Sequence, residues 1–125
     1  MTPEAYVDMV LSELATSGVI ASFEVAERWT SFDRGYIRVR ARHVNGDFLE
    51  LAEYFVLEDE TPVTQRYRYQ WMDEHRQVLR RRWDNVEHFP DLPGFPHHVH
   101  LADGRVTPAS PLSILELLPV IAAEP

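Results

Sequence analysis

The hydrophobic positions of the chain follow helical spacing at both ends and strand spacing in the middle. Val7, Val10, Leu11 and Leu14 recur at intervals of three and four residues, which predicts a helix over residues 3–17. The middle of the chain alternates and is rich in β-branched and aromatic residues, which favour strands. About five strands are predicted, at 19–30, 36–44, 48–57, 63–72 and 77–83.

The connections between these strands are short, so consecutive strands are expected to pair as an antiparallel meander. Asn45 and Gly46 are a strong signal for a two-residue hairpin turn. Such a turn would place Arg38 opposite Glu53 as an ordinary cross-strand ion pair.

The C-terminal third begins with a long connection, residues 84–111, which is rich in proline and holds four of the six histidines. Connections of this length are commonly functional or disordered. Leucines from Leu112 to Leu118 then mark the apolar face of a final helix. Ser110 is its expected N-cap, and Pro119 is a point where it could kink or end. The expected fold class is α+β: an N-terminal helix, an antiparallel meander of about five strands, a long His/Pro-rich loop and a C-terminal helix.

The composition limits the functional classes. A chain of 125 residues is long enough for one domain with its own core, and the absence of cysteine excludes disulfides, thiolate metal ligands and a cysteine nucleophile. No leader pattern and no long apolar stretch is visible, so a soluble, cytoplasmic protein without a membrane span is expected. The net charge of −8 argues against nonspecific nucleic-acid binding, although all twelve basic residues are Arg, which suits contacts to phosphate.

The densest group of chemically competent side chains lies in residues 83–100, and three interpretations of it compete. The first is a metal site. His98 and His100 are two residues apart, so on an extended segment they project to the same side and could share one divalent ion. Further ligands would come from the neighbouring side chains His88, Asp84 and Glu87.

The second interpretation is metal-free acid–base cleavage of a phosphodiester. That reaction needs a base for the ribose 2′-hydroxyl, an acid for the leaving oxygen and a cation at the phosphorane, and histidine suits the first two roles. Arginine could supply the third. Strand alternation predicts that Arg80 and Arg82 share one face of their strand, and that Arg81 and Trp83 share the other.

The third interpretation is structural. Trp83, Phe89 and Phe95 would anchor the loop in the core, the prolines would stiffen it, and the histidines would be hydrogen-bonded or solvated. The sequence alone does not exclude this interpretation.

Two further stripes have both a structural and a functional interpretation. The arginines on one face of the second strand are more typical of a partly paired, solvated face than of an RNA-binding surface. The aromatic residues on one face of the fourth strand are more typical of core packing under a helix than of base stacking. These stripes are Arg38, Arg40 and Arg42, and Tyr67, Tyr69 and Trp71.

Three motifs together resemble the TumE family of prokaryotic toxin–antitoxin proteins. They are the aromatic strand at 67–71 (YRYQW), the turn at 82–88 (RWDNVEH) and the histidine motif at 95–100 (FPHHVH). Their order and spacing agree over about residues 63–118, and the first 60 residues are less distinctive. Two positions depart from the pattern: Val99 stands where Lys is expected, and Phe89 where a second His is expected.

The resemblance implies a small toxin partnered by a separately encoded antitoxin, which would itself bind DNA. Our hypothesis is a cytoplasmic type II toxin that acts on RNA as a ribonuclease; the alternative is a non-catalytic protein-binding module or a metal-binding protein. The oligomeric state, monomer or homodimer, is left open. Carried over by motif, the catalytic candidates are His88, His97, His98 and His100, oriented by Asp84 and Asn85. The substrate-binding candidates are Arg82, as the phosphate contact, with Arg80 and Trp83.

Overall fold

The computed structural model describes residues 1–124 as two helices and seven strands. The helices are α1 (Pro3–Thr16) and α2 (Ile114–Ala123). The strands are β1 (Ile20–Ser31), β2 (Arg34–His43), β3 (Phe48–Glu58), β4 (Thr61–Met72), β5 (Leu79–Asp84), β6 (His98–Leu101) and β7 (Val106–Pro108).

All seven strands form one antiparallel sheet in which each strand pairs with its neighbours in the sequence. Both helices pack on the same face of this sheet, here called the helix face, and enclose the hydrophobic core. Within residues 1–124 no helix covers the opposite face, here called the open face. Because side chains alternate along a strand, β2, β3 and the second half of β4 give every second residue to the core and the others to the open face.

The α+β class and the meander are confirmed, whereas the prediction of about five strands and one long loop is wrong. The distal part of the predicted loop folds back as β6 and β7 and extends the sheet. Leu101 donates its N–H to the carbonyl of Arg105, and Gly104 takes a positive φ of 90° in the turn between them. Both strands are short, so periodicity gave little signal for them.

The predicted register of the β2–β3 hairpin is also wrong. The turn contains three residues, 44–46, because the N–H of His43 donates to the carbonyl of Asp47. A one-residue change in a hairpin turn reverses the face of every residue on the return strand. Arg38 therefore pairs with Ala52, and Glu53 points into the core, where it is fully buried.

The predicted N-cap is correct for α1 and wrong for α2. Thr2 caps α1 as its sequence suggests, but the N-cap of α2 is Ser113 rather than Ser110. Ser113 and Glu116 form a reciprocal capping box, which satisfies two backbone donors at the helix start. Pro119 does not end α2, which continues to Ala123.

The aromatic stripe of β4 packs in the core, as its pattern favoured. Tyr67, Tyr69 and Trp71 are all buried on the helix face. The arginines of β2 lie on the open face, where Arg38 pairs with Glu27 and Arg40 pairs with Glu50. No helix within residues 1–124 is long and apolar enough to cross a membrane.

Candidate active site

The pairing of β5 with β6 creates the densest polar cluster of the open face. Arg82 lies opposite His100, and Asp84 lies opposite His98. These four residues therefore lie on one face, and the residues between them in each strand point into the core. Asp84, His98, His100 and Arg82 are here called the site cluster.

Asp84 is the acceptor that joins the cluster. Its carboxylate is buried, with 3% of the residue exposed. Oδ1 accepts from the N–H of Val86 at 3.0 Å and lies 2.9 Å from Nε2 of His98. Oδ2 accepts from Nε of Arg82 at 3.3 Å and lies 3.5 Å from Nε2 of His100. The carboxylate thereby fixes the positions of both imidazoles and the guanidinium.

His98 is the most enclosed member of the cluster. It is 1% exposed, and its Nδ1 lies 2.8 Å from the carbonyl oxygen of Pro96. A carbonyl can only accept, so Nδ1 carries a proton and Nε2 faces Asp84. Nε2 also lies 3.0 Å from Nε2 of His100. This burial leaves His98 little contact with a substrate and suits it to positioning its neighbours.

His100 is more accessible than His98 and has an altered proton affinity. Burial lowers its pKa from the ordinary histidine value, the charge of Arg82 lowers it further, and Asp84 acts in the opposite direction. Nη2 of Arg82 lies 3.3 Å from Nε2 of His100, and because a guanidinium has no acceptor, the imidazole accepts this hydrogen bond. His100 is therefore held in its neutral form at neutral pH.

The loop after β5 lies over the cluster. The ring of Phe89 contacts the rings of His98 and His100 edge-on, with centroids 5.3 Å and 6.1 Å away. Its neighbour His88 is exposed and lines the same small depression as Arg68, Arg82 and His100, a space of about 240 Å³. Phe89, which stands where the sequence comparison led us to expect a second His, thus shields the histidines from water.

Three predicted site residues lie away from the cluster. His97 stacks on Tyr67, with ring centroids 5.8 Å apart, and its Nδ1 lies 2.9 Å from the tyrosine hydroxyl. Asn85 accepts from the N–H of Tyr67 at 3.1 Å and donates to the carbonyl of Gln65 at 2.8 Å. Trp83 is buried in the core. Although they are chain neighbours of the cluster, His97 and Asn85 make their hydrogen bonds and ring contacts with β4 and not with the side chains of the site cluster.

Arg80 does not share a face with Arg82, so this prediction is wrong. A register shift in the β4–β5 pairing at Trp71 and Met72 moves Arg80 out of alternation. Its Nε binds the buried carboxylate of Asp47 at 3.3 Å. Arg81 and Trp83 share the helix face as predicted, and Arg81 pairs with Glu124.

The sequence showed Arg66 and Arg68 between the aromatic residues of the fourth strand, but it did not assign Arg68 to the site or predict the open-face groove beside the cluster. This groove is lined by Trp29, Tyr36, Tyr54, Arg66 and Arg68 among others, and encloses about 430 Å³. Alternation along β2 indicated that Tyr36 lies on the same face as the arginines of that strand. The remaining residues required the correct register between β1, β2, β3 and β4.

The cluster also meets the geometric requirement for a metal site. Asp84, His98 and His100 offer ligand atoms that lie within 4.8 Å of one another. A histidine whose Nδ1 donates to a carbonyl while Nε2 points inward is the usual arrangement of a metal ligand. The guanidinium of Arg82, at 3.3 Å from both Asp84 and His100, places a positive charge against a cation there.

Comparison with known proteins identifies the family. The model of the family described as Toxin TumE matches residues 10–124. No curated protein and no solved structure gives a significant match to the chain. Because the family model covers nearly the whole chain and includes every residue of the site cluster, the chain belongs to the Toxin TumE family.

Proposed function

We propose that this chain is the toxin of a type II toxin–antitoxin system and that it cleaves RNA in the cytoplasm at the site cluster. Membership of a toxin family supports the biological role and the need for a cognate antitoxin. The observation that carries the chemistry is the convergence of two imidazoles, one carboxylate and one guanidinium on the open face.

The cluster supplies the groups that cleavage of a phosphodiester needs. The attacking 2′-hydroxyl must lose a proton, and His100 is the base: its lowered pKa keeps it neutral and able to accept at neutral pH. To receive that proton, its Nε2 exchanges the hydrogen bond from Arg82 for one from the hydroxyl. Arg82 then faces the phosphate, where its charge stabilises the phosphorane.

The leaving 5′-oxygen needs a proton donor, and His88 fills this role. Its side chain is exposed at the mouth of the depression that contains Arg82 and His100. In its protonated form it donates to the leaving oxygen, so two histidines divide the acid and base roles. His98 and Asp84 do not contact the substrate; they hold His100 and Arg82 in place.

A metal-dependent form of the reaction would use Asp84, His98 and His100 as ligands. We favour the metal-free form because Arg82 occupies the space next to two of those ligands and supplies the positive charge that an ion would otherwise provide. Elemental analysis of active protein, and its activity after dialysis against a chelator, distinguish the two. Activity that is lost with the chelator and restored by one divalent metal would overturn the metal-free form.

The test of the proposal is His100→Ala, compared with His75→Ala as a matched control. His75 is an exposed histidine in the turn between β4 and β5, at the opposite end of β5 from Asp84. Induced expression of the wild type and of His75→Ala should arrest growth, and purified protein should cleave RNA. His100→Ala should do neither while keeping its circular dichroism spectrum. Cleavage by folded His100→Ala at the wild-type rate would refute the proposed site.

The rival function is a non-catalytic module that acts by binding a protein. The net charge of −8 favours it, since an acidic surface suits a basic partner better than bare RNA. Tight binding of the neighbouring gene product, together with no cleavage of any RNA by the wild type, would favour this rival. It predicts that toxicity persists in His100→Ala.

A further inference from the structure

The open face carries a second feature beside the site cluster, an aromatic groove. Trp29, Tyr36 and Tyr54 lie side by side across β1, β2 and β3, because the register pairs Trp29 with Tyr36 and Tyr36 with Tyr54. The ring of Trp29 is stacked on that of Tyr36, with centroids 6.4 Å apart and an angle of 23° between the planes. Trp29 is 42% exposed, although large aromatic side chains are normally buried.

The groove also carries two arginines, Arg66 and Arg68, and one carboxylate, Glu27, whose charge is paired with Arg38. The guanidinium of Arg66 lies over the ring of Tyr54, 5.1 Å from its centroid. Arg68 donates to Gln70, an uncharged partner. Within residues 1–124 neither arginine forms an ion pair, in contrast to Arg38 and Arg40 of the neighbouring strand. Their charges are therefore available to an anionic ligand.

The groove runs directly into the site cluster. Arg68 and Val86 line both the groove and the depression that contains Arg82 and His100. Ala52 lies in the same cross-strand row as Arg68, and its small side chain leaves space at the floor of the groove. Three strand spacings, roughly 14 Å, separate Tyr54 of β3 from His100 of β6, so a ligand of several nucleotides that occupies the groove can extend to the cluster.

We propose that the aromatic groove binds an unpaired base of single-stranded RNA while Arg68 holds the adjoining phosphate and directs the chain to His100. Exposed aromatic rings with interleaved arginines are the means by which proteins stack unpaired bases and contact their backbone. A base inside a duplex presents no free face to Trp29 or Tyr36. The inference rests on the proposed function and adds to it the substrate class, single-stranded rather than duplex RNA.

Binding is tested with a fluorescein-labelled RNA of about 12 nucleotides, within the usual range of single-strand sites. The same strand annealed to its complement is the duplex control. His100→Ala is the binding protein, so that the RNA stays intact. Fluorescence anisotropy should show binding of the single strand and much weaker binding of the duplex. Equal binding of both, or no binding of the single strand, would overturn the inference.

The variants are Trp29→Ala, Trp29→Phe and Tyr54→Ala, each added to His100→Ala. Loss of one stacked ring should raise the Kd about 5- to 150-fold, and Trp29→Phe should recover most of the affinity. Phe32→Ala is the matched control, since Phe32 is a fully exposed aromatic residue in the β1–β2 turn outside the groove. Arg68→Gln should reduce the salt dependence of binding by about one phosphate contact.

The outcomes separate the groove from the proposed function. In the His100→Ala protein, Trp29→Ala and Tyr54→Ala could bind RNA as tightly as the Phe32→Ala control. If the same two substitutions in the otherwise wild-type protein also leave the cleavage rate unchanged, the groove inference fails and the proposed ribonuclease function stands. If these substitutions weaken binding of the antitoxin and leave RNA binding unchanged, the groove is a protein-docking surface and the inference also fails. A wild type that cleaves no RNA refutes the proposed function itself.

Discussion

Replacing Asp84 by Asn separates the proposed chemistry from the stability of the sheet. The substitution keeps the shape of the side chain and removes the charge that faces Arg82 and His98. Its amide nitrogen is a donor, whereas each oxygen of the native carboxylate accepts from a group that can only donate: Oδ1 from the N–H of Val86 and Oδ2 from Nε of Arg82. The variant therefore loses attraction and gains an unfavourable donor–donor contact.

The expected cost follows from burial. Asp84 is 3% exposed, and removal of one partner from a buried ion pair costs about 3–5 kcal/mol. The Arg82 side chain is 27% exposed, so water solvates part of its charge and the lower end of this range applies. For a chain of this length, about 3 kcal/mol lowers the Tm by roughly 10 °C.

Asp47→Asn provides the matched control. Asp47 is also a buried carboxylate, 6% exposed, and it accepts from Nε1 of Trp71 at 2.9 Å and from Nε of Arg80 at 3.3 Å. It has no contact with the site cluster. Its substitution should lower the Tm somewhat less, because the Arg80 side chain is 51% exposed, and should leave the RNA-cleaving activity of the folded protein unchanged.

The assay is the cleavage rate of purified proteins at a temperature well below both Tm values, with folding checked by circular dichroism. Asp84→Asn should reduce the rate by about 100-fold or more, since a misplaced general base removes a contribution of that order. Equal losses of activity in Asp84→Asn and Asp47→Asn would show that stability, not the site cluster, explains the effect. A Tm of Asp84→Asn equal to that of the wild type would refute the structural reasoning.

Two further predictions follow from burial. Burial raises the pKa of Glu53, so the folded protein holds this proton at a pH where the unfolded chain has released it, and stability should fall as the pH rises from about 4.5 through the raised pKa. In Glu53→Gln the amide can still accept from the N–H of Ile114 and donate to the hydroxyl of Tyr6. This part of the pH dependence of the Tm should therefore disappear, and an unchanged pH profile would contradict the prediction. Phe89→Ala should admit water to the site and so raise the lowered pKa of His100 towards its ordinary value. The acid limb of the pH–rate profile should then move to higher pH. The Tm should change little, because Phe89 is 42% exposed. An acid limb at the wild-type position would show that Phe89 does not cause the desolvation.

Alternation of side chains within a single strand correctly predicted which residues of that strand share a face. His98 and His100 share a face, and so do Arg81 and Trp83, because successive side chains of a strand point to opposite sides. The aromatic face of β4 was assigned to the core for the same reason. These inferences use only sequence spacing, so errors elsewhere in the chain do not affect them.

The pairing of residues between strands was predicted poorly, because one extra residue in a turn or a strand changes every pair that follows. The β2–β3 turn has three residues instead of two, which moved Glu53 from an expected surface pair with Arg38 into the core. The register shift in the β4–β5 pairing moved Arg80 away from Arg82 in the same way. Turn length and register shifts are decided by packing of the whole sheet, and no local pattern in the sequence specified them.

The composition of the site follows from the register between β5 and β6, and that register is held by residues outside the site. A shift of one residue would replace His98 and His100 by His97 and Val99 on the open face. His97 is stacked on Tyr67, which belongs to the core, and Asn85 fixes the end of β5 to the backbone of β4. His97 and Asn85, two of the predicted site residues that do not reach the cluster, therefore hold both ends of the loop that brings His98 opposite Asp84. A motif with three histidines in four residues is thus divided by the sheet: one imidazole secures the register, and two form the site.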